Sequence, residues 1–366
     1  MLAGHWQELV VKDLSASDAQ PHLLGLQALA RNAMQTAGFN APELILPILK
    51  HVGGAALTTI VQQSNILMAL PLVDHKIYRA SWQTPLMASG LPHVAAGISE
   101  TVLHAFMKAQ SKPVLFKAIP SDGAFLPTLR KQSAHFEVLE SWQRAALKRS
   151  GGYDDWLQTN FDKKRRKELK RQRNRLAEQG ALTSVELKMG EEVMPFVSSL
   201  LRLEASGWKG KKGTALNKNP NLATAFHEAA MALHAAGKLR FWSLKLDGKT
   251  IASLFAIVEG SQAWLGKIAY DEAYAKFSPG VLLIMDCTKS FFAESQVKLI
   301  DSSAIPNHPM IDHIWRDRLD MVDVLVAPAT ISILRFKTIL SLEKMRRTLR
   351  SLARDTYYKI NGAHRT

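Results

Sequence analysis

The chain has 366 residues, 47% of them hydrophobic, with 47 Lys and Arg set against 32 Asp and Glu. That length and apolar content suit two cores rather than one. A single cysteine, Cys287, excludes an internal disulfide and fits a reducing compartment. The sequence shows neither a membrane-length apolar run nor a leader with a cleavage site, so a cytoplasmic protein is expected.

In chain order, Gly38–Pro47 (GFNAPELILP) reads as a loop entering a short helix. Ala56–Val61 and Ile66–Leu72 bracket a polar turn, Gln62-Gln63-Ser64-Asn65, and so read as a hairpin. A Gly- and Pro-rich stretch, Thr84–Gly97, precedes a helical run from Ile98 to Ala109 and a buried strand, Pro113–Ile119. Lys163–Arg175 then holds nine basic residues and one acidic residue, Glu168, in a helical pattern with Phe161, Leu169 and Leu176 on one side. Gly207–Thr214 (GWKGKKGT) lacks the Walker spacing and reads as a flexible basic loop, a candidate lid.

Three strands follow in a meander. Leu239–Leu246 meets Asp247-Gly248, a two-residue hairpin signal, and Thr250–Val258 turns at Glu259-Gly260-Ser261 into Gln262–Tyr270. Next comes Ser278-Pro279-Gly280 at the start of an apolar-periodic helix. Ser278 suits the N-cap, Pro279 suits the first turn because it has no N–H to orphan, and Gly280 keeps bulk away. Free N–H groups at a positive helix end would seat a phosphate or pyrophosphate. Cys287 falls in this helix among Leu282, Leu283 and Ile284 and reads as core. Val297–Asp301 is a short buried strand, and a strand–helix–strand connection makes it parallel to 262–270. Ile331–Thr366 closes the chain as a basic amphipathic helix, with Leu334, Leu342, Met345, Leu349 and Leu352 edged by Arg346, Arg347, Arg350 and Arg354. The two basic segments carry +8 and +7, which together equal the net charge of +15.

Three antiparallel strands, a phosphate-seating turn, a helix and a parallel strand follow the core order of GNAT acyltransferases. From Phe161 to Asp323 the chain resembles the GNAT-superfamily acetyltransferase family of the CelD/BcsL type, associated with cellulose biosynthesis and similar in organisation to FemAB-like transferases. The marks are the LDGKTIA hairpin, the YDEAYAKFSPG loop and the run KKRRKELKRQRNRLAEQG. The SPG turn stands where other members carry a glycine-rich pyrophosphate loop. The N-terminal half repeats the order of hairpin, loop, helix and strand more faintly and lacks an SPG-like turn.

The expected fold is therefore α/β with a mixed sheet, built as tandem GNAT-like domains. Residues 1–150 would form a degenerate copy, 151–330 the acyltransferase domain, and 331–366 the basic helix. The resemblance implies acetyl-CoA or another acyl-CoA as co-substrate and a small-molecule or glycan-linked amine (or hydroxyl) acceptor in exopolysaccharide or envelope metabolism. Asp301 and Asp271, ending the two parallel strands, and Glu204 in LRLEASGW are the catalytic candidates. Lys267, Tyr270, Ser278, Pro279 and Gly280 are the cofactor-binding candidates, with His308 and His313 as further bases. No metal motif is present: HExxH and Cys/His pairing are missing, as is a GxSxG elbow.

Two other readings remain open. A FemAB-like aminoacyltransferase would draw on charged tRNA, which ranks below acyl-CoA because no aromatics interleave the first basic run. A non-catalytic GNAT-shaped protein would bind an anionic membrane, at the inner face, or a partner through its basic helices. No groove-reading motif points to DNA.

Overall fold

The computed structural model describes residues 9–361, and the turn chemistry closes the expected hairpins. Strands β1 (Val10–Leu14), β2 (Ala56–Gln62), β3 (Asn65–Asp74), β4 (Arg79–Ser81), β5 (His93–Val94), β6 (Val114–Pro120) and β7 (His135–Lys148) come from the first part of the chain. β8 (Leu182–Glu186), β9 (Leu239–Leu246), β10 (Lys249–Glu259), β11 (Gln262–Tyr270), β12 (Leu299–Asp301) and β13 (Asp317–Ala327) come from the second. Asp247 and Gly248, with φ of 47° and 77°, make the β9–β10 turn in the left-handed geometry that matches strand twist.

Among the described residues all thirteen strands belong to one mixed sheet, ordered β1-β2-β3-β4-β6-β13-β7-β12-β11-β10-β9-β8, with β5 on β3. As expected, β11 and β12 run parallel. The N-terminal echo is present too, as the β2–β3 hairpin, the Ser99–Lys108 helix and β6 parallel to β4. The sequence reading did not include β7, β13 or the way they cross. β13 follows β12 in the chain but lies between β6 and β7, and β7 follows β6 but lies between β13 and β12. Each part of the chain thus hands one strand to the other. The β7–β13 pairing is antiparallel and runs from Asp317 opposite Ala146 to Ala327 opposite His135.

Helices cover both faces. Pro42–Val52 and Pro220–Ala235 pack on one face with Met194–Ser206, over Leu57, Phe241, Phe255 and Ile257. On the other face, Lys163–Ala177 and Pro279–Ala293 pack on Trp242, Leu254, Leu265 and Ile300. Phe161, Leu169 and Leu176 are the buried edge of the first basic helix, as its pattern predicts. Cys287 is buried mid-helix.

The last helix, Ile333–Asn361, departs from the simple amphipathic reading. Its buried contacts are Phe336, Ile339 and Glu343, whereas Leu334, Leu342, Met345, Leu349 and Leu352 are exposed. The Arg354 side chain and residues 362–366 lie outside the described residues.

One buried histidine makes the core sensitive to acid. His93 Nε2 donates to the Asn40 carbonyl oxygen at 3.0 Å, and Nδ1 has no partner. Protonation would place a charge on that bare nitrogen, so burial lowers its pKa from 6.5 to about 4. Between those values the unfolded chain binds a proton that the folded chain refuses. Stability is therefore undiminished above pH 6.5 and falls as pH drops toward 4. The loss reaches about 3 kcal/mol at the lower end, at 1.36 kcal/mol per pH unit. Urea unfolding from pH 7 to pH 4 should show this slope in the parent, and a His93→Gln variant should show a flatter one.

Candidate active site

The site begins where two parallel strands part. β11 and β12 share three rungs, the last joining Trp264 to Asp301, after which β11 continues to Tyr270 while β12 stops. A bulge drives the separation. Leu254 and Ala256 of β10 face Ile268 and Leu265, so Gly266 and Lys267 together oppose the single residue Phe255. An extra residue bends its strand and leaves backbone groups unpaired. Gly266 is required there because a Cβ would lie 2.1 Å from the Phe255 ring. Beyond Asp301 the chain turns sharply. The Ser302 N–H donates to the Ala145 carbonyl at 3.1 Å, and left-handed Ser303 (φ 55°) donates its N–H to Asp301 Oδ1 at 2.8 Å.

The gap holds a cavity of about 340 Å³, lined by Leu265–Ile268, Ser302–Ile305 and His308, and closed from the first part of the chain by Phe39 and Thr84–Ala88. Ser303 Oγ is buried there without a partner. His308 Nδ1 faces the N–H groups of Met310 and Ile311 at 3.3 and 3.4 Å, which fixes it as the acceptor and leaves the proton on Nε2. Burial lowers the pKa of His308, so the ring is neutral at pH 7.

The cavity wall carries a buried charge cluster. Glu204 reaches Lys267 Nζ at 3.3 Å and Lys209 Nζ at 3.1 Å, and accepts from the Leu216 N–H at 2.8 Å. Burial alone would raise the Glu204 carboxyl, but Lys267, the Leu216 N–H and Lys209 outweigh it and hold it below its ordinary value. Burial lowers Lys267, against the attraction of Glu204.

Next to this cavity lies a second, of about 570 Å³, at the start of the Pro279–Ala293 helix. Met310 lines both, so the two adjoin. Ser278, Gly280 and Val281 form one wall, and Arg165, His313 and Arg316 stand around it. Pro279 occupies the first helical position, and the first closed turn runs from the Leu282 N–H to the Ser278 carbonyl at 3.1 Å. By helix geometry the N–H groups of Gly280 and Val281 are then open at the positive end. The expected side-chain cap is not made. Ser278 sits at the N-cap position but in the left-handed region (φ 52°, ψ 51°), and its hydroxyl makes no capping bond. Arg165 and Arg316 pair with no carboxylate among the described residues. Two cations, a histidine and two N–H groups around an open cavity can hold a phosphate or pyrophosphate.

The residues anticipated from sequence divide between these surfaces. Lys267 lines the splay, and Glu204 stands behind it. Tyr270, Ser278 and Gly280 line the second cavity, over buried Pro279. Asp301 faces the other way. Its carboxylate pairs with buried Arg144 and lines a separate cavity of about 250 Å³ with Asn40 and Trp264. Burial raises the Asp301 carboxyl, and Arg144 opposes that rise. Asp271 caps the short Glu272–Phe277 helix, accepting from the Ala273 N–H at 3.1 Å.

Sequence reasoning missed Arg316, Ser303 and Arg144. It took Arg165 only as part of a charge run. A lone glycine inside a strand pattern, Gly266, was the readable sign of the bulge. Among the described residues no group of three or more His, Cys, Asp or Glu could hold a metal ion.

Comparison with known proteins bears on the fold. Residues 163–305 match the family model described as an acetyltransferase (GNAT) domain. Over most of the chain the fold is similar to the C-terminal domain of a candidate lysylphosphatidylglycerol synthetase from Agrobacterium fabrum, with a TM-score of 0.57 and 10% identity, covering 89% of this chain and 96% of that one. It is similar to L-PGS from Bacillus licheniformis (TM-score 0.55, 12% identity, 87% and 95% covered). FemX also aligns, with a TM-score of 0.53 and 11% identity over 86% of this chain and 97% of that one. The fold is thus mixed α/β and GNAT-like, and residues 163–305 are the part that matches the GNAT acetyltransferase domain model.

The bulge offers a direct test of the site's construction. Phe255 is hemmed in by Phe226 and Phe241, with ring centroids 5.0 and 5.9 Å away, and cannot swing aside from a new methyl group. Gly266→Ala should therefore destabilise the fold by about 1–3 kcal/mol, read by chemical denaturation.

Proposed function

We propose that this chain is an acyltransferase that moves an acetyl or other acyl group from an acyl-CoA thioester to an amine. The observation that carries the reading is the junction of the two cavities. An anion seat at a helix start, flanked by Arg165 and Arg316, adjoins the gap between the parted strands across Met310. In this reading the CoA pyrophosphate meets the Gly280 and Val281 N–H groups, and the thioester extends along Gly266–Ile268. The acceptor nitrogen attacks the thioester carbonyl. A C–N bond forms, the C–S bond breaks, and one proton passes from nitrogen to the departing sulfur. An unpaired N–H at the bulge and His308 Nε2–H are the donors available to the developing oxyanion. Lys267, whose pKa burial lowers, relays the proton. Glu204 orients that lysine. Asp301 and Asp271 hold the surrounding backbone. The likeness to the CelD/BcsL type further points to an acceptor in exopolysaccharide or envelope metabolism.

A second donor, charged tRNA, is favoured by one specific feature. Beyond Arg165 the basic helix exposes Lys163, Lys164, Lys167, Lys170, Arg171 and Arg175, more charge than one pyrophosphate needs. Binding of tRNA through these side chains would weaken steeply with salt.

Thermal unfolding with acetyl-CoA or CoA separates the two donors. Ligand at about a hundred times its Kd stabilises by roughly 2.7 kcal/mol and raises Tm by a few degrees. That shift is expected in the parent and should be lost in Gly280→Trp and in the Arg165→Ala, Arg316→Ala pair. No shift in a folded parent would sink the acyl-CoA reading and turn attention to tRNA. Should CoA bind, Lys267→Arg should keep the Glu204 pair and the CoA shift while lowering kcat by about 100-fold, since a guanidinium cannot relay the proton.

A further inference from the structure

The last helix has two opposed apolar faces, and one of them is uncovered. Phe336 and Ile339, each 4% exposed, bury one side against Tyr78, Leu115 and Leu325. Ion pairs fix its roll. Arg347 reaches Asp323 and Glu140 at 2.7 Å each, and Lys344 meets Glu137 at 3.1 Å, while Glu343 of the helix itself holds Arg346 at 2.6 Å and Arg347 at 2.9 Å. At about 100° per residue, Leu334, Leu342, Met345, Leu349 and Leu352 form a stripe about 80° wide on the opposite side. They are 75%, 42%, 55%, 59% and 59% exposed. The stripe runs for about 27 Å. Since the roll is locked by carboxylates of the body, no rotation of the docked turns can hide it.

The charge left over decides what covers this face. Lys344 and Arg347 are spent on the body and Arg346 on Glu343 of the helix itself, but Arg335, Lys337 and Arg350 make no ion pair with any described residue. The segment from Ile331 onward carries nine basic residues and two acidic ones. A second copy brought against the stripe would set these unpaired cations against their like. An anionic lipid surface meets both features at once, since its acyl region accepts the leucines and its headgroups the unpaired cations.

We propose that the Leu334–Leu352 stripe is a peripheral docking face for an anionic bilayer, with the helix lying in the plane of the interface. This inference does not depend on the acyl-transfer reading. The test is co-flotation of the full chain with vesicles of phosphatidylcholine plus phosphatidylglycerol, beside vesicles of phosphatidylcholine alone. The parent should float with the anionic vesicles, and binding to neutral ones should be weaker by at least about tenfold. Leu349→Glu with Leu352→Glu, and separately Met345→Glu with Leu349→Glu, alter only exposed side chains, so thermal unfolding should match the parent. Both should lose at least about tenfold in vesicle binding. A parent that does not bind anionic vesicles overturns the proposal. So does binding that survives both double variants, because charge alone would then account for it. A dimer in sedimentation that the same substitutions dissociate also overturns it, by making a second copy the occupant.

Discussion

The exchange of β7 and β13 is the constraint on which the rest of the molecule depends. Had each strand stayed beside its predecessor, the chain would form two sheets with two pairs of open edges. Crossing them joins everything into one sheet and removes the inner edges, where unpaired N–H and C=O groups would otherwise lie exposed. The candidate site rests directly on this arrangement. β12 has only three residues and is held on one side by β11 and on the other by β7. The Ala145 carbonyl of β7 accepts from Ser302, and Arg144 of β7 pairs with Asp301. The floor of the splay therefore belongs to one part of the chain and is nailed down by the other.

The charges follow a consistent division. Inside, they are paired in small sets. Arg144 meets Asp301, Glu204 meets Lys267 and Lys209, and Lys238 meets both Glu43 and Glu259. Such clusters add little net stability, because desolvation offsets their attraction, but removing one member would strand a buried charge. They hold positions. Outside, the surplus is concentrated on two helices whose cations largely point to solvent. One of these helices lends Arg165 to the anion seat, and the other carries the exposed leucine stripe. A surplus of this kind raises the local concentration of anionic ligands and speeds encounter, at a strength set by salt.

Much of the second part of the chain was legible because its signals are local. Asp247-Gly248 forces a tight turn, Pro279 suits a first helical position, and the expected bounds of β9 and β11 match the observed ones residue for residue. The crossover from β11 to β12 also followed from one short segment. The site was legible only in part. Lys267, Tyr270 and Gly280 are neighbours in sequence as well as in space, whereas Arg316 and Ser303 enter the site through loops with no recurring pattern. Asp301 lines a different cavity from Lys267 for a physical reason. A strand sends successive side chains to opposite faces, and the strand's end alone does not say which face borders the gap.

Sequence alone determined the elements whose cause lies within a few residues: hairpins, the parallel crossover and the two basic helices. Tertiary structure decided what depends on distant partners. It chose the neighbours of β7 and β13, since antiparallel pairing can be satisfied by any strand of matching length and pattern. It also chose which face of the last helix is buried. The helix offers two apolar edges about half a turn apart, and the acidic groups Asp323, Glu137 and Glu140 on β13 and β7 select between them. Those carboxylates reach the helix only once the exchanged strands are paired.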